Sequence, residues 1–191
     1  LLSWRATGYR NLKSNIKIEK RSDFSSLKIR TMANPYHEVF WSTLGAQVTE
    51  MDVDQLAFAL EQDRINSQET ILSVDNYSIL SRQNYLIKTE HLPFIQCFVM
   101  NKALYDSLSV TEKQQLEDYF SSVQNSMHLQ NDADQDKLIQ NYTAAYPIQI
   151  LTPGPNIREA LLESRNTVLS LLRSKLGDAV VDEYISLAAN S

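Results

Sequence analysis

SLKIRTMANPYHEVFW, residues 26–41, joins a strand to a helix within a few positions, and its reading decides the fold. LKIRTM has the mix of apolar and β-branched residues of a short strand. Asn34 then suits a helix N-cap, and Pro35 suits the first helical position, where a missing N–H costs nothing. Gly45 closes the helix in the left-handed conformation that glycine tolerates best. The same grammar repeats downstream. QVTEM leads into Asp52-x-x-Gln55, which reads as a capping box, with Met51 and Leu56 placed as a hydrophobic staple and Leu56, Ala59 and Leu60 as a buried stripe. RINSQETIL (64–72) is a third strand-like run, followed by a helical pattern through Tyr77 and Leu80. Residues 27–80 therefore read as β-α-β-α-β-α, an α/β domain with parallel strands.

Beyond this core, YLIKTEH and FIQCFVMN are strand-like runs separated by Pro93, and they can belong to different lobes. Ser109-x-x-Glu112 is a capping box that opens an amphipathic helix carrying Leu116, Phe120, Val123 and Met127. NDADQDK (131–137) reads as the solvated polar end of that helix. YPIQILTPGP is a strand closed by a turn. Ile157, Leu161, Val168, Leu171 and Leu172 mark a long helix ending near Gly177, and a shorter helix covers 178–189.

Composition narrows the function. With 191 residues and 43% hydrophobic content the chain can bury a core. Its net charge of -5 gives no sequence-wide attraction to nucleic acid or anionic lipid. No run reaches the roughly 20 apolar residues of a spanning helix. Cys97 is the sole cysteine, so no intrachain disulfide can form, and its apolar setting predicts a buried, inert thiol.

Catalytic patterns are sparse. The histidines are His37, His91 and His128. His37-Glu38 does not extend to a zinc-binding H-E-x-x-H, because position 41 is Trp41, and no Cys/His cluster has metal-ligand spacing. Four glycines cannot build a clustered phosphate-binding loop, and no G-x-S-x-G elbow is present. The acidic pair Asp52/Asp54 sits at a helix start, where carboxylates favour the macrodipole. Neither an enzyme, nor a cofactor, nor a metal site is expected.

Binding remains. In an open parallel sheet, ligands sit beyond the carboxyl ends of the strands. Arg30 lies near that end of the first run, and Gln68, Glu69 and Thr70 near that of the third. A guanidinium there can hold a carboxylate bidentately, with the helix start at Asn34-Pro35 adding backbone donors. The residues leave a second reading equally open, in which Arg30 makes a structural ion pair with Glu50 or Glu69.

GYRN (8–11), SDFSSLKIRTMANPYH (22–37), LGAQVTEM (44–51), DVDQLAFALEQ (52–62) and NSQET (66–70) together resemble the extracytoplasmic solute receptors of TRAP transporters, the DctP-like substrate-binding proteins. The resemblance continues more weakly through HLPFIQCFVMNKALYDSL and SVTEKQQLEDYF. It implies a periplasmic-binding-protein-like fold of two lobes, non-enzymatic and periplasmic, that captures a small organic acid and delivers it to membrane permease subunits. The family's main carboxylate-binding arginine falls on Arg30, and a second on Arg10. The asparagine of the family's DGQEN motif is replaced by Thr70, which keeps a hydroxyl and loses the amide. Asn66 and Ser67 stand where Asp-Gly is usual, and Ser26 where glycine is common.

The same resemblance assigns residues 1–95 to the second lobe with the hinge strand, 96–140 to part of the first lobe, and 141–191 to a return segment and C-terminal helices packing on the second lobe. It places most of the first lobe upstream of Leu1, so the chain reads as a fragment without a signal peptide. A site open on one side predicts weak ligand binding by the isolated chain, and uncovered apolar surface predicts self-association. The alternative reading is a truncated or drifted scaffold that serves only structure or interaction.

Overall fold

The structure, a computed structural model, describes residues 1–72, 79, 81–128 and 131–189. The chain opens with strand β1 (Ser3–Ser14) and a 3-10 turn at Arg21–Ser26. Strand β2 (Lys28–Thr31), helix α1 (Pro35–Thr43), strand β3 (Gln47–Glu50), helix α2 (Leu56–Glu61) and strand β4 (Ser67–Thr70) then alternate as the opening stretch predicts. The expected helix through Tyr77 and Leu80 lies outside the described residues. Strand β5 (Tyr85–Phe98), helices α3 (Lys102–Ser107), α4 (Val110–His128) and α5 (Asn131–Ala145), strand β6 (Gln149–Leu151), and helices α6 (Pro155–Leu176) and α7 (Asp178–Ala189) complete the chain.

The sheet order is β3-β2-β4-β1-β5-β6. β2 pairs in parallel with both β3 and β4, and β5 in parallel with β6, whereas β1 pairs antiparallel with β4. β1 has no counterpart in the sequence reading, because SWRATGYRNLKS lacks a sustained apolar alternation and carries Gly8 in its middle.

Two compact units share the chain. One is built chiefly from Leu1–Arg10 and Glu90–Tyr146; the other chiefly from Asn11–Thr70, the residues up to Thr89, and the segment from Pro147 onward. Strands β1 and β5 run through both. YLIKTEH and FIQCFVMN thus form a single strand despite Pro93, with Glu90 adopting a positive φ of 46° inside it.

In the second unit the core lies on the sheet face covered by α1 and α6. Leu12, Ile29, Phe40, Trp41, Ile157, Ala160 and Leu161 pack there, with Trp41 edge-on to Phe40 at 5.2 Å. Ser164 on α6 donates a hydrogen bond to the Phe40 carbonyl, tying the two helices. A second cluster joins Met51, Leu56, Ala59, Leu60 and Ile65. Met51 and Leu56 do meet, but Asp52 makes no side-chain cap; a 3-10 turn at Val53–Gln55 precedes α2 instead.

In the first unit α4 begins with the predicted capping box. The Glu112 carboxylate accepts from Ser109 N–H at 2.8 Å, and Ser109 Oγ accepts from Glu112 N–H at 3.3 Å. Phe120 of α4 packs against Phe98 of β5 at 5.2 Å between ring centres. NDADQDK is not the tail of that helix, since Asn131 opens a separate one. Cys97 is exposed rather than buried. Strand alternation sends it outward with Ile95 and Val99, so an apolar neighbourhood in sequence did not translate into a buried one.

Candidate functional site

The candidate site is built where β2 and β4 end. Because these strands are parallel and paired, Arg30 sits directly opposite Gln68. Gln68 in turn is opposite Lys13 on β1, and Arg30 is opposite Thr49 on β3. Opposed residues share a face, so Lys13, Gln68, Arg30 and Thr49 form one row across four strands. Thr70, two residues beyond Gln68, points to that same face at the carboxyl end of β4.

The row is buried. Lys13 is fully inaccessible, Gln68 is 2% exposed and Arg30 is 8% exposed. Arg30 Nε donates to the Met51 carbonyl at 2.8 Å, which fixes the plane of the guanidinium. Gln83 holds the other end: its Oε1 accepts from Gln68 Nε2 at 2.8 Å, and its Nε2 donates to the carbonyls of Lys13 at 3.1 Å and Asn66 at 3.3 Å. Lys13 Nζ donates to the Gln83 carbonyl at 3.0 Å. Burial pushes the Lys13 ammonium down to about 7.

On the opposite face, Glu69 is engaged by His37 of α1, with Nδ1 and Oε1 2.8 Å apart and both residues buried. The pair pins the first turn of α1 against the end of β4. Asn34 caps that turn by accepting from Tyr36 N–H at 2.9 Å, worth about 1 kcal/mol. Asn34, Arg30, Gln68 and Thr70 therefore all fall within one unit, at or near the carboxyl ends of parallel strands. Arg10 falls in the other unit, where its guanidinium stands 5.7 Å from the centre of the Phe94 ring.

Lys13 and Gln83 escaped the sequence reading. The signal that could have found Lys13 is its place near the end of β1, five residues after Gly8, but that strand was itself unread. Among the described residues no cluster of three or more His, Cys, Asp or Glu side chains could hold a metal ion, and no helix is long and apolar enough to cross a membrane.

A buried guanidinium, oriented by a backbone carbonyl near the carboxyl end of parallel strands, is chemically able to hold an anion. Residues 1–174 match the DctP family, described as bacterial extracellular solute-binding protein, family 7. The chain belongs to that family. Members of family 7 are solute-binding receptors. A solute-binding protein from Verminephrobacter eiseniae is 32% identical over 115 residues, covering 59% of this chain and 34% of that one. A TRAP periplasmic solute-binding protein from Bordetella bronchispeptica, with density assigned to pantoate, superposes with a TM-score of 0.82 at 25% identity. That match covers 95% of this chain and 60% of the Bordetella chain. A TRAP periplasmic solute-binding protein from Shewanella oneidensis with bound succinate superposes with a TM-score of 0.87 at 19% identity, over 100% of this chain and 62% of its own. The chain thus spans about three fifths of the length of these solved structures, and its fold is that of the two-lobed receptors.

Proposed function

We propose that this chain is the solute-binding polypeptide of a TRAP-type transporter, periplasmic, capturing a small organic acid and handing it to the membrane permease subunits. The observation that carries the reading is Arg30, buried and held by the Met51 carbonyl at the carboxyl end of a parallel strand. Its guanidinium clamps the ligand carboxylate by charge-assisted hydrogen bonds, stronger in a water-poor setting than on a surface. Thr70, on the same face, offers a hydroxyl to the ligand. Gln68, locked to Gln83, shapes the floor beside Arg30, and Asn34 orients the helix turn above it. Arg10 is an auxiliary contact on the strength of the family resemblance alone. The pantoate and succinate assigned to the Bordetella and Shewanella structures support a carboxylate as ligand class.

Calorimetric titration with pantoate and with succinate tests this. Binding by the unmodified chain, lost in Arg30→Ala and weakened at least tenfold in Arg30→Lys, supports the clamp, because lysine cannot make the bidentate contact. Equal binding by Arg30→Ala overturns it. No binding of any organic acid favours a scaffold that has lost its receptor role.

A further inference from the structure

Thr70 is the last residue of β4, so the placement of its hydroxyl depends on how the end of that strand is held. The register of β4 with β2 covers Ser67 and Gln68, while its register with β1 runs on to Thr70. Glu69, immediately before Thr70, is fully buried and turns its carboxylate to the opposite face, where His37 Nδ1 stands 2.8 Å from Oε1. A hydrogen bond is directional, so this contact fixes the Glu69 side chain and with it the backbone that carries Thr70.

The other end of the contact is a firm post. His37 lies in the first turn of α1, its own N–H donating to the Asn34 carbonyl at 3.1 Å. The same helix is anchored in the core by Phe40 and Trp41, and to α6 by the bond from Ser164 to the Phe40 carbonyl. With that apolar anchorage in place, a buried polar pair is a costly way to add stability, since both groups give up hydration. What it adds beyond apolar packing is direction.

We propose that His37 is a positioning residue of the carboxylate site: by holding Glu69 it sets the Thr70 hydroxyl for a ligand that His37 itself does not touch. The proposal rests on the reading of Arg30 as the clamp and Thr70 as a ligand contact. The chain of placement runs from the core through α1 and the imidazole to Glu69, and ends one residue later at the hydroxyl. All four of His37, Glu69, Thr70 and Arg30 belong to one compact unit.

The test is calorimetric titration with pantoate well below the melting temperature, run as a double-mutant cycle. Thr70→Val removes the hydroxyl and is expected to weaken binding about tenfold, the worth of one hydrogen bond to a charged group. His37→Ala is expected to weaken it by up to the same factor. The double variant binds no more weakly than Thr70→Val, because a hydroxyl already absent cannot be misplaced. His37→Asn, whose amide can either donate or accept near the place of Nδ1, recovers most of the loss. Since His37→Ala also costs stability, His37→Leu combined with Glu69→Leu is measured beside it: replacing both members of a buried pair by apolar groups costs little stability but removes the directional tie. Weaker pantoate binding by this folded variant supports positioning. Pantoate affinity unchanged in it, or effects of Thr70→Val and His37→Ala that simply add, overturns the proposal. Pantoate binding that survives Arg30→Ala overturns the clamp instead, and that titration tells the two failures apart.

Discussion

His37 Nδ1 and Glu69 Oε1 stand 2.8 Å apart, joining the first turn of α1 to the end of β4 while both side chains are buried. Truncating one member of such a pair strands the other in a medium that solvates it poorly. His37→Ala is expected to lower stability by about 3 kcal/mol, the usual cost of breaking a buried pair from one side. Glu69→Gln keeps an acceptor oxygen for the ring and should cost markedly less. Urea unfolding of the two variants and their double mutant measures the coupling; additive effects would show that the pair does not hold α1 to β4.

The elements legible in advance were those whose boundaries are written in local chemistry. Asn34-Pro35 announces α1 because capping and fixed φ act within one turn, and Ser109-x-x-Glu112 announces α4 for the same reason. Gly45 appears where expected, with φ at 92°. β1 was illegible because its partners, β4 and β5, lie more than fifty residues away, and pairing rather than intrinsic preference makes it a strand. The site divides along the same line. Arg30, Gln68 and Thr70 could be placed together once parallel strands were inferred. Lys13 could not, since only the antiparallel register with β4 brings it into their row. Asp52-x-x-Gln55 shows the opposite failure, a correct local pattern set aside when a 3-10 turn took the place of the cap.

Thr31 follows Arg30 on β2 and is fully buried, and its Oγ1 has no hydrogen-bond partner among the described residues. A buried hydroxyl in that position costs about 1–3 kcal/mol in lost hydration. Valine has nearly the same shape and keeps the β-branch that suits a strand. Thr31→Val is expected to raise the melting temperature by a few degrees, corresponding to about 1 kcal/mol. Differential scanning calorimetry decides it, and a lower melting temperature would mean that the hydroxyl is satisfied in solution.

Several apolar side chains on or beside the strands of the first unit are exposed. Ile95 is 52% exposed and Val99 is 73%, with Leu92 and Tyr9 also exposed. Apolar exposure of this kind favours association where it is contiguous. Light scattering under reducing conditions, which removes any contribution from the exposed Cys97, is expected to show a mass that rises with concentration. Ile95→Lys with Val99→Lys should shift the protein toward monomer. A monodisperse monomer of the unmodified chain at all concentrations would refute this.

Lys13 gives stability a pH dependence of definite sign, separate from any ligand. In the unfolded chain its ammonium holds a proton up to about 10.4, whereas in the folded chain burial releases that proton at about 7. Between these values the unfolded state binds more protons, so the free energy of unfolding rises with pH, by up to about 1.4 kcal/mol per unit. Below about 7 both states are protonated, and the full penalty of burying the charge is present. Lys13→Met keeps the aliphatic stem and removes the titrating group. Urea denaturation at intervals from pH 6.5 to 9.5 is expected to show a rising stability in the unmodified chain and a flatter profile in the variant, which is also the more stable of the two at pH 6.5. Parallel profiles would place the proton on Lys13 throughout the range, and the row behind Arg30 would then carry a permanent charge rather than a titrating one.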